Sequence, residues 1–195
     1  GHAQVEHYLI TGENVLGTIM LAGLQYLPQP KSRLKIEWPV HYIPKDPTKV
    51  DAELAAQPKL YFAGLPHVGF IDLVDENLFE QGIIIVIDHK TTSSIDRYAK
   101  TTGELRKDPQ AAAYLKWAKM RYRVSNYVFK HIYYQTKGAR RSEPVAAAFT
   151  ALEVDQAAAR IEAVVERMKA VAATKNPNDV PACDDACNAY GGCSY

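Results

Sequence analysis

The sequence is poor in cysteine, and the few cysteines it has are confined to one end. Cys183, Cys187 and Cys193 all fall within the last thirteen residues. An odd number of cysteines clustered this tightly is a poor framework for disulfides. Ligation of a metal ion or an iron-sulfur cluster is the better interpretation.

Net charge and long apolar runs are also lacking. The formal net charge of +1 gives no global argument for a polyanionic partner, so contact with nucleic acid would have to come from local basic patches. No segment approaches the roughly 18 apolar residues needed to span a bilayer. The first residues show no basic-then-apolar secretory pattern. We therefore expect no membrane partner and a cytoplasmic location.

The composition is that of an ordinary globular protein. The chain has 195 residues, of which 47% are hydrophobic and 23% are charged. This predicts one domain with a single sizeable core, over residues 1–175. Residues 176–195 contain proline and glycine but no apolar period, which indicates a cysteine-containing tail that something other than a core must hold against the domain.

The apolar patterns predict an α/β domain with a mixed central sheet flanked by helices. Asp108 is a predicted N-cap with Pro109 in the first turn, and Asp155 is predicted to start the last helix. Helices are expected over 2–25 with an interruption near 11–12, 108–123 and 154–173. Strands are expected over 34–40, 59–74 with a break near 66, from 83 onward, 127–135 and 144–152.

One predicted strand leads straight into charged residues. Five consecutive β-branched residues, Ile83 to Ile87, precede Asp88, His89 and Lys90. Such a run is typical of a strand buried on both faces, where residues at its end are held in fixed positions. Alternation places Asp88 and Lys90 on one face and His89 on the other. The carboxylate can hold a hard divalent cation while the lysine approaches a substrate or an attacking water.

A second carboxylate is expected nearby, because one carboxylate seldom holds a divalent cation. Asp72 lies sixteen residues before Asp88, in the segment GFIDLVDE. This separation fits two neighbouring antiparallel strands joined by a turn over residues 77–82. The sequence therefore predicts that Asp72 and Asp88 come together and could share one metal ion.

Three motifs in this order resemble the RecB-like exonuclease branch of the PD-(D/E)XK nuclease superfamily. In that branch a glycine-x-isoleucine-aspartate strand precedes a strand ending in Asp/Glu-x-Lys, and a helix with glutamine-x-x-x-tyrosine follows. The corresponding segments here are Gly69 to Asp72, Asp88 to Lys90 and Gln110 to Tyr114. The resemblance implies a restriction-endonuclease-like core.

The same branch carries a histidine on an early helix, in a pattern similar to the opening GHAQVEHYL. His2 fits this pattern one helical turn before Glu6, and His7 is the competing histidine. The resemblance implies that Mg²⁺ or Mn²⁺ is bound by the following groups: His2, Asp72, Asp88 and the main-chain carbonyl of His89.

The implied activity is metal-dependent hydrolysis of DNA phosphodiester bonds. Lys90 would position or deprotonate the attacking water and stabilise charge on the phosphate. Gln110 and Tyr114 would orient Lys90 or bind the DNA backbone, and Glu37 is a weaker candidate for a water-mediated role. The resemblance favours an exonuclease on single strands or duplex ends in phage or bacterial recombination, repair or CRISPR adaptation, with a possible protein partner from those pathways.

The resemblance also gives the cysteines a role. CRISPR-associated and AddB nucleases of this branch tie a 4Fe-4S cluster with a C-terminal Cys-x2-Cys-x5-Cys, and Cys183-x3-Cys187-x5-Cys193 is similar to it. The sequence contains no fourth cysteine, so the remaining ligand would be a non-cysteine residue or would lie outside this sequence. Zinc is the alternative, because tight cysteine spacings serve both.

Two further alternatives stay open at this point. Lys137, Arg140 and Arg141 form a basic turn that is either a solvated hairpin or a patch that tracks phosphates. The whole domain could also be a DNA-binding or assembly module that keeps a nuclease fold without catalysis. The intact set of Asp72 and Asp88 with Lys90 argues against that second class.

Overall fold

The computed structural model describes residues 2–44, 46, 48 and 50–174. The predicted tail and its three cysteines lie outside these residues. The helices in chain order are α1 (His2–Thr11), α2 (Thr18–Leu21), α3 (Ala52–Ala56), α4 (Ile95–Tyr98), α5 (Thr102–Leu105), α6 (Pro109–Tyr122) and α7 (Ala151–Ala172). The strands are β1 (Leu34–Pro39), β2 (Tyr61–Phe62), β3 (Leu65–Pro66), β4 (Phe70–Asp75), β5 (Ile83–Thr92), β6 (Asn126–Gln135) and β7 (Ser142–Thr150).

The central sheet is mixed, as predicted. Its strand order is β1-β4-β5-β6-β7, with β5 and β6 parallel and the other neighbours antiparallel. The segment predicted as one broken strand forms a small separate hairpin, β2 with β3, followed by β4. The buried run Ile83 to Ile87 lies in β5, at the middle of the sheet, and its carboxyl end projects past the last β4 pair.

Helices cover both faces of the sheet and enclose two apolar cores. On one face α6 and α7 pack over the sheet, with Trp117 and Phe129 fully buried between the layers. On the other face α1 and α2 contribute Leu9 and Met20, which pack against Ile87. In the part of the chain that the structure describes, no helix is long and apolar enough to cross a bilayer.

Local capping explains where the two long helices begin. The Asp108 side chain accepts the Gln110 N–H at 2.8 Å and Pro109 opens α6, as predicted. The predicted start of the last helix at Asp155 is wrong. Thr150 is the N-cap of α7 and forms a reciprocal capping box with Glu153, so the helix begins at Ala151. Asp155 lies one turn inside the helix and pairs with lysines of α6.

Strand β1 has a break in its alternation at Glu37. Its φ of +49° lies in the left-handed region, which non-glycine residues rarely adopt within a strand. The register pairs Ile36 with Leu73 and Trp38 with Ile71, so Glu37 falls opposite Asp72. Before the break Ile36 packs on the α1 face, and after it Trp38 packs on the α6 face. The break therefore turns the Glu37 carboxylate toward Asp72.

Candidate active site

The two predicted aspartates lie where β4 and β5 separate. The last register pair between these strands is Leu73 with Ile87. Beyond this pair the two strands are joined by a side chain. The His89 N–H donates a hydrogen bond to Asp72 Oδ2, at 2.8 Å, and not to a main-chain carbonyl of β4. The prediction of neighbouring antiparallel strands is confirmed, and the fork fixes the Asp72 carboxylate between them.

A group of possible metal ligands surrounds Asp72, and we call it the acid pocket: His2, Glu37 and Asp72. One ligand atom from each lies within 4.8 Å of those of the other two. His2 Nδ1 is 4.0 Å from Asp72 Oδ2. A cavity of about 10 Å³ lies among these side chains and Glu6, which is room for one water-sized species. Sequence reasoning gave Glu37 only a minor role, because nothing in an alternating strand signals a left-handed residue.

The charge of the acid pocket suits a cation. Burial raises the pKa of Asp72 above its ordinary value, against the opposing effect of the His89 N–H. In the described part of the chain neither Glu37 nor Asp72 is paired with a lysine or arginine. Two facing carboxylates and an imidazole are ligands that Mn²⁺ and Mg²⁺ accept. The residues present therefore fit a divalent cation.

Asp88 is not among the three ligand residues of the acid pocket but is bound to Lys90. Alternation holds as predicted, and Lys90 Nζ lies 2.7 Å from Asp88 Oδ2. Gln110 from α6 bridges the pair, because its Nε2 donates to Asp88 Oδ1 at 2.8 Å and its Oε1 accepts from Lys90 at 3.1 Å. Burial raises the pKa of Asp88 despite Lys90. Burial, the largest single cause, lowers the pKa of Lys90, but the hydrogen bond to Asp88 and the negative charges of Asp88 and Asp72 together outweigh it, and the net shift is upward.

A chain of polar groups that begins at buried His131 supports this pair, and sequence reasoning missed its connection to Asp88. His131 is 1% exposed, and its Nε2 lies 3.6 Å from Asp88 Oδ2. Its Nδ1 lies 2.9 Å from the Tyr133 hydroxyl, which also accepts the Lys100 N–H. Lys100 Nζ then pairs with Asp108, the N-cap beside Gln110, at 2.5 Å. We call the whole set the lysine network: Asp88, Lys90, Lys100, Asp108, Gln110, His131 and Tyr133.

The sequence held one usable signal for the lysine network. β6 runs parallel to β5 and places His131 directly beside Asp88. A histidine in the segment NYVFKHIYYQ, which is rich in apolar and aromatic residues, is an unusual choice for a buried strand. The register between the two strands was not predictable from the sequence, so the connection to Asp88 could not be made.

His89 and Tyr114 make contacts within the protein. The His89 side chain is buried on the α1 face, where its Nδ1 lies 3.1 Å from the Tyr134 hydroxyl, and burial lowers the pKa of His89 to about 4. The Tyr114 hydroxyl donates to the Phe70 carbonyl at 2.8 Å and not to Lys90. Gln110 alone of the predicted helix pair orients Lys90.

The remaining predicted residues lie away from this centre. His7 is paired with Glu13 at 3.1 Å, whereas His2 lies at the acid pocket, as the interpretation of the early helix preferred. In the basic turn, Arg141 pairs with Asp96 at 2.5 Å, and Lys137 and Arg140 are exposed. Cys183, Cys187 and Cys193 lie outside the described residues, so their role stays a prediction.

Comparison with known proteins assigns the family. No curated protein and no solved structure matches the chain. A family model described as the PD-(D/E)XK nuclease superfamily matches residues 33–195, which include the fork, β5 and α6. Members of this superfamily generally use divalent metal ions such as Mg²⁺. The match covers most of the sequence, and the chain belongs to the PD-(D/E)XK nuclease superfamily.

Proposed function

We propose that the protein is a divalent-metal-dependent DNA exonuclease. One juxtaposition supports this most strongly: an acid pocket with no lysine or arginine partner among the described residues lies beside a half-buried lysine that is fixed by its own network. The acid pocket and the lysine network are joined through the main chain at His89. This residue lies between Asp88 and Lys90, and its N–H donates a hydrogen bond to Asp72. Hydrolysis of a phosphodiester is accelerated by a cation that accepts negative charge and by a positioned group beside the attacking water.

The cation would be held by the acid pocket: His2, Glu37 and Asp72. Asp88 and the main-chain carbonyl of His89, at the carboxyl end of β5, would be further ligands. A bound divalent ion would supply Lewis-acid polarisation of the phosphate and an acidified water at neutral pH. The protein contributes a fixed set of ligands, since Asp72 is oriented by the His89 N–H and Glu37 by its left-handed backbone. Burial leaves the Asp72 carboxylate poorly solvated, which a cation would offset.

Lys90 acts in this proposal as an ammonium group. Its raised pKa keeps it charged at neutral pH, so it stabilises the charge that develops on the phosphate and aligns the water. Gln110 holds it by one hydrogen bond, and Asp88 by an ion pair. Asp88 is held in turn by Gln110 and contacts buried His131.

The order of the three motifs supports the exonuclease assignment over other nucleases. Gly69 to Asp72, Asp88 to Lys90 and Gln110 to Tyr114 resemble the RecB-like branch, whose members act in recombination, repair or CRISPR adaptation. We propose that this chain serves in one of those settings on single strands or duplex ends. A 4Fe-4S cluster on Cys183, Cys187 and Cys193 is part of the same proposal.

Degradation of end-labelled DNA tests the assignment. Single-stranded and blunt duplex substrates, labelled at either end, are incubated with Mg²⁺ or Mn²⁺ and resolved by length. We expect stepwise shortening from an end, blocked by EDTA and lost in Lys90→Ala, with Lys107→Ala on the exposed surface as the control. Unchanged degradation by Lys90→Ala would contradict the proposal, and internal cuts would replace exonuclease with endonuclease. DNA binding without turnover at any metal would favour an inactive module.

A further inference from the structure

An apolar groove adjoins the acid pocket. Its volume is about 560 Å³, and its lining includes Pro39, Tyr42, Ile43, Val68 and Phe70. Glu37 lines both this groove and the small cavity of the acid pocket. The groove is therefore continuous with the candidate active site.

Phe70 is the exposed aromatic side chain of this groove that lies nearest to the acid pocket along β4. It is 56% exposed, whereas the next residue, Ile71, is fully buried in the core on the other face. Phe70 and Asp72 are two residues apart, which is about 6.8 Å along a strand, and Glu37 lines both the groove and the acid pocket. The separation of Phe70 from Asp72 is close to the length covered by one nucleotide of an extended strand. A base on Phe70 would thus leave its phosphate near Asp72.

The position of Phe70 is fixed by the protein backbone. Its carbonyl accepts the Tyr114 hydroxyl at 2.8 Å, and its register partner is Pro39 of β1. Because the strand is anchored on both sides, the ring is presented to solvent without a large loss of backbone entropy on binding. Large exposed apolar surface of this kind commonly marks an interaction site, and Ile43 and Val68 beside it are 65% and 63% exposed.

The charged residues among the described lining of the groove do not favour a phosphate as its occupant. Among the described residues that line it there is no lysine or arginine, and Glu37 and Asp46 are acidic. A phosphate would be repelled there, whereas an uncharged planar ring would be accepted. Aromatic side chains stack on nucleobases regardless of sequence, since every base has a π face.

We propose that this groove binds an unpaired nucleobase of the DNA strand being cut, stacked on Phe70. The inference rests on the proposed function and narrows its substrate class to strands with unpaired bases next to the reacting phosphate. A base inside a duplex has both faces covered by its neighbours and cannot stack on Phe70 without being released. Single strands and frayed ends therefore bind, and blunt duplex DNA binds more weakly.

A fluorescent base reports the contact without requiring cleavage. We would titrate the Lys90→Ala protein into a single-stranded oligonucleotide carrying 2-aminopurine near its end, with Mg²⁺ present. Stacking of 2-aminopurine on an aromatic ring quenches its fluorescence. Four proteins are compared: Lys90→Ala alone, and Lys90→Ala combined with Phe70→Ala, with Phe70→Tyr or with Leu152→Ala. Leu152→Ala is the matched control, because Leu152 is 66% exposed at the opposite end of the sheet.

The expected result is quenching that is lost in Phe70→Ala and kept in Phe70→Tyr and Leu152→Ala. The Kd for single-stranded DNA should rise at least about fivefold in Phe70→Ala, and an abasic site at the reporter position should remove that difference. Equal affinity and quenching in all proteins would overturn the inference. So would a changed oligomeric state of Phe70→Ala with normal DNA binding, which would assign the groove to a protein contact. If the quenching is seen but the unmutated protein cuts no DNA with any divalent metal, the groove proposal stands and the proposed nuclease activity is contradicted.

Discussion

The acid pocket and the lysine network lie on the two sides of one strand end, yet their charges are arranged in opposite ways. In the lysine network the Asp88 carboxylate is paired with Lys90 and accepts a hydrogen bond from Gln110, and Asp108 is paired with Lys100. In the acid pocket Glu37 and Asp72 face each other beside His2, and neither carboxylate has a lysine or arginine partner among the described residues. Carboxylates paired with lysines hold a fixed geometry, whereas carboxylates that face each other attract a cation. The contrast supports binding of the cation by the acid pocket and positioning of the Lys90 ammonium group by the lysine network.

The largest effects are expected from one substitution in each half. Glu37→Gln and Lys90→Ala should each lower kcat for DNA hydrolysis by at least about 100-fold, the usual loss when a group that stabilises transition-state charge is removed. The two should differ in response to Mn²⁺. Raising the Mn²⁺ concentration tenfold should restore part of the activity of Glu37→Gln and none of the activity of Lys90→Ala. Identical metal dependence in initial-rate assays would erase the distinction between the halves.

A smaller effect is expected from the buried histidine of the lysine network. His131→Phe removes the polar neighbour of Asp88 and should lower kcat by about 10- to 100-fold, as loss of outer-shell partners commonly does. KM and Mn²⁺ affinity should stay unchanged, and His131→Asn should recover part of the rate. His67→Phe, on the remote β2–β3 hairpin side, is the control. A rise in KM without loss of kcat would show that His131 does not position Lys90.

Stability should change in the opposite direction from activity in the acid pocket. Burial raises the folded-state pKa of Asp72, so this group favours the fold below its unfolded pKa and loses that contribution as pH rises through the folded value. At pH 7 without metal, Asp72→Asn should therefore be more stable by about 1 kcal/mol, or about 2–4 °C in Tm. The gap should close below about pH 4.

Thermal melts in EDTA between pH 3 and 8 measure this difference, with Asp155→Asn as the contrasting variant. The Asp155 carboxylate bonds Lys119 and Lys116, which lower its pKa, so its removal should cost stability at pH 7. If Asp72→Asn were also less stable at pH 7, the acid pocket would not be a site of uncompensated charge.

The smallest effect is expected at Tyr114. Tyr114→Phe loses the hydrogen bond to the Phe70 carbonyl, which should cost about 1 kcal/mol of stability and a few-fold in kcat. Tyr127→Phe loses a similar bond to Val124, at the other end of the sheet. It should cost the same stability without changing kcat. Equal kcat in both variants would mean that Tyr114 acts only on the fold.

Much of the site could be predicted because its motifs are local in sequence. The pairing of Asp88 with Lys90 followed from strand alternation, and the approach of Asp72 followed from the short connection between β4 and β5. The roles of Glu37 and His131 in the site could not be predicted in the same way. The first depends on a left-handed residue inside a strand, and the second on the register of a parallel strand 43 residues further along the chain.

The fold shows the same division. The long helices and the strands of the central sheet were predicted from apolar periods and from the cap at Asp108, whereas the short helices α4 and α5 were not predicted and the start of α7 was misplaced at Asp155. Both Thr150 and Asp155 are good N-cap residues, and the choice was decided by the reciprocal bonds with Glu153 and by the lysines of α6 that hold Asp155. Such tertiary partners are invisible in a single sequence.

Calorimetric titration of Mn²⁺ into three proteins tests the central claim most directly: the unmutated chain, Lys90→Ala and the double variant Glu37→Gln with Asp72→Asn. The division between acid pocket and lysine network predicts that Lys90→Ala binds Mn²⁺ at least as tightly as the unmutated chain. It also predicts that the double variant shows no saturable binding at that site. Undiminished Mn²⁺ binding by the double variant would contradict the account.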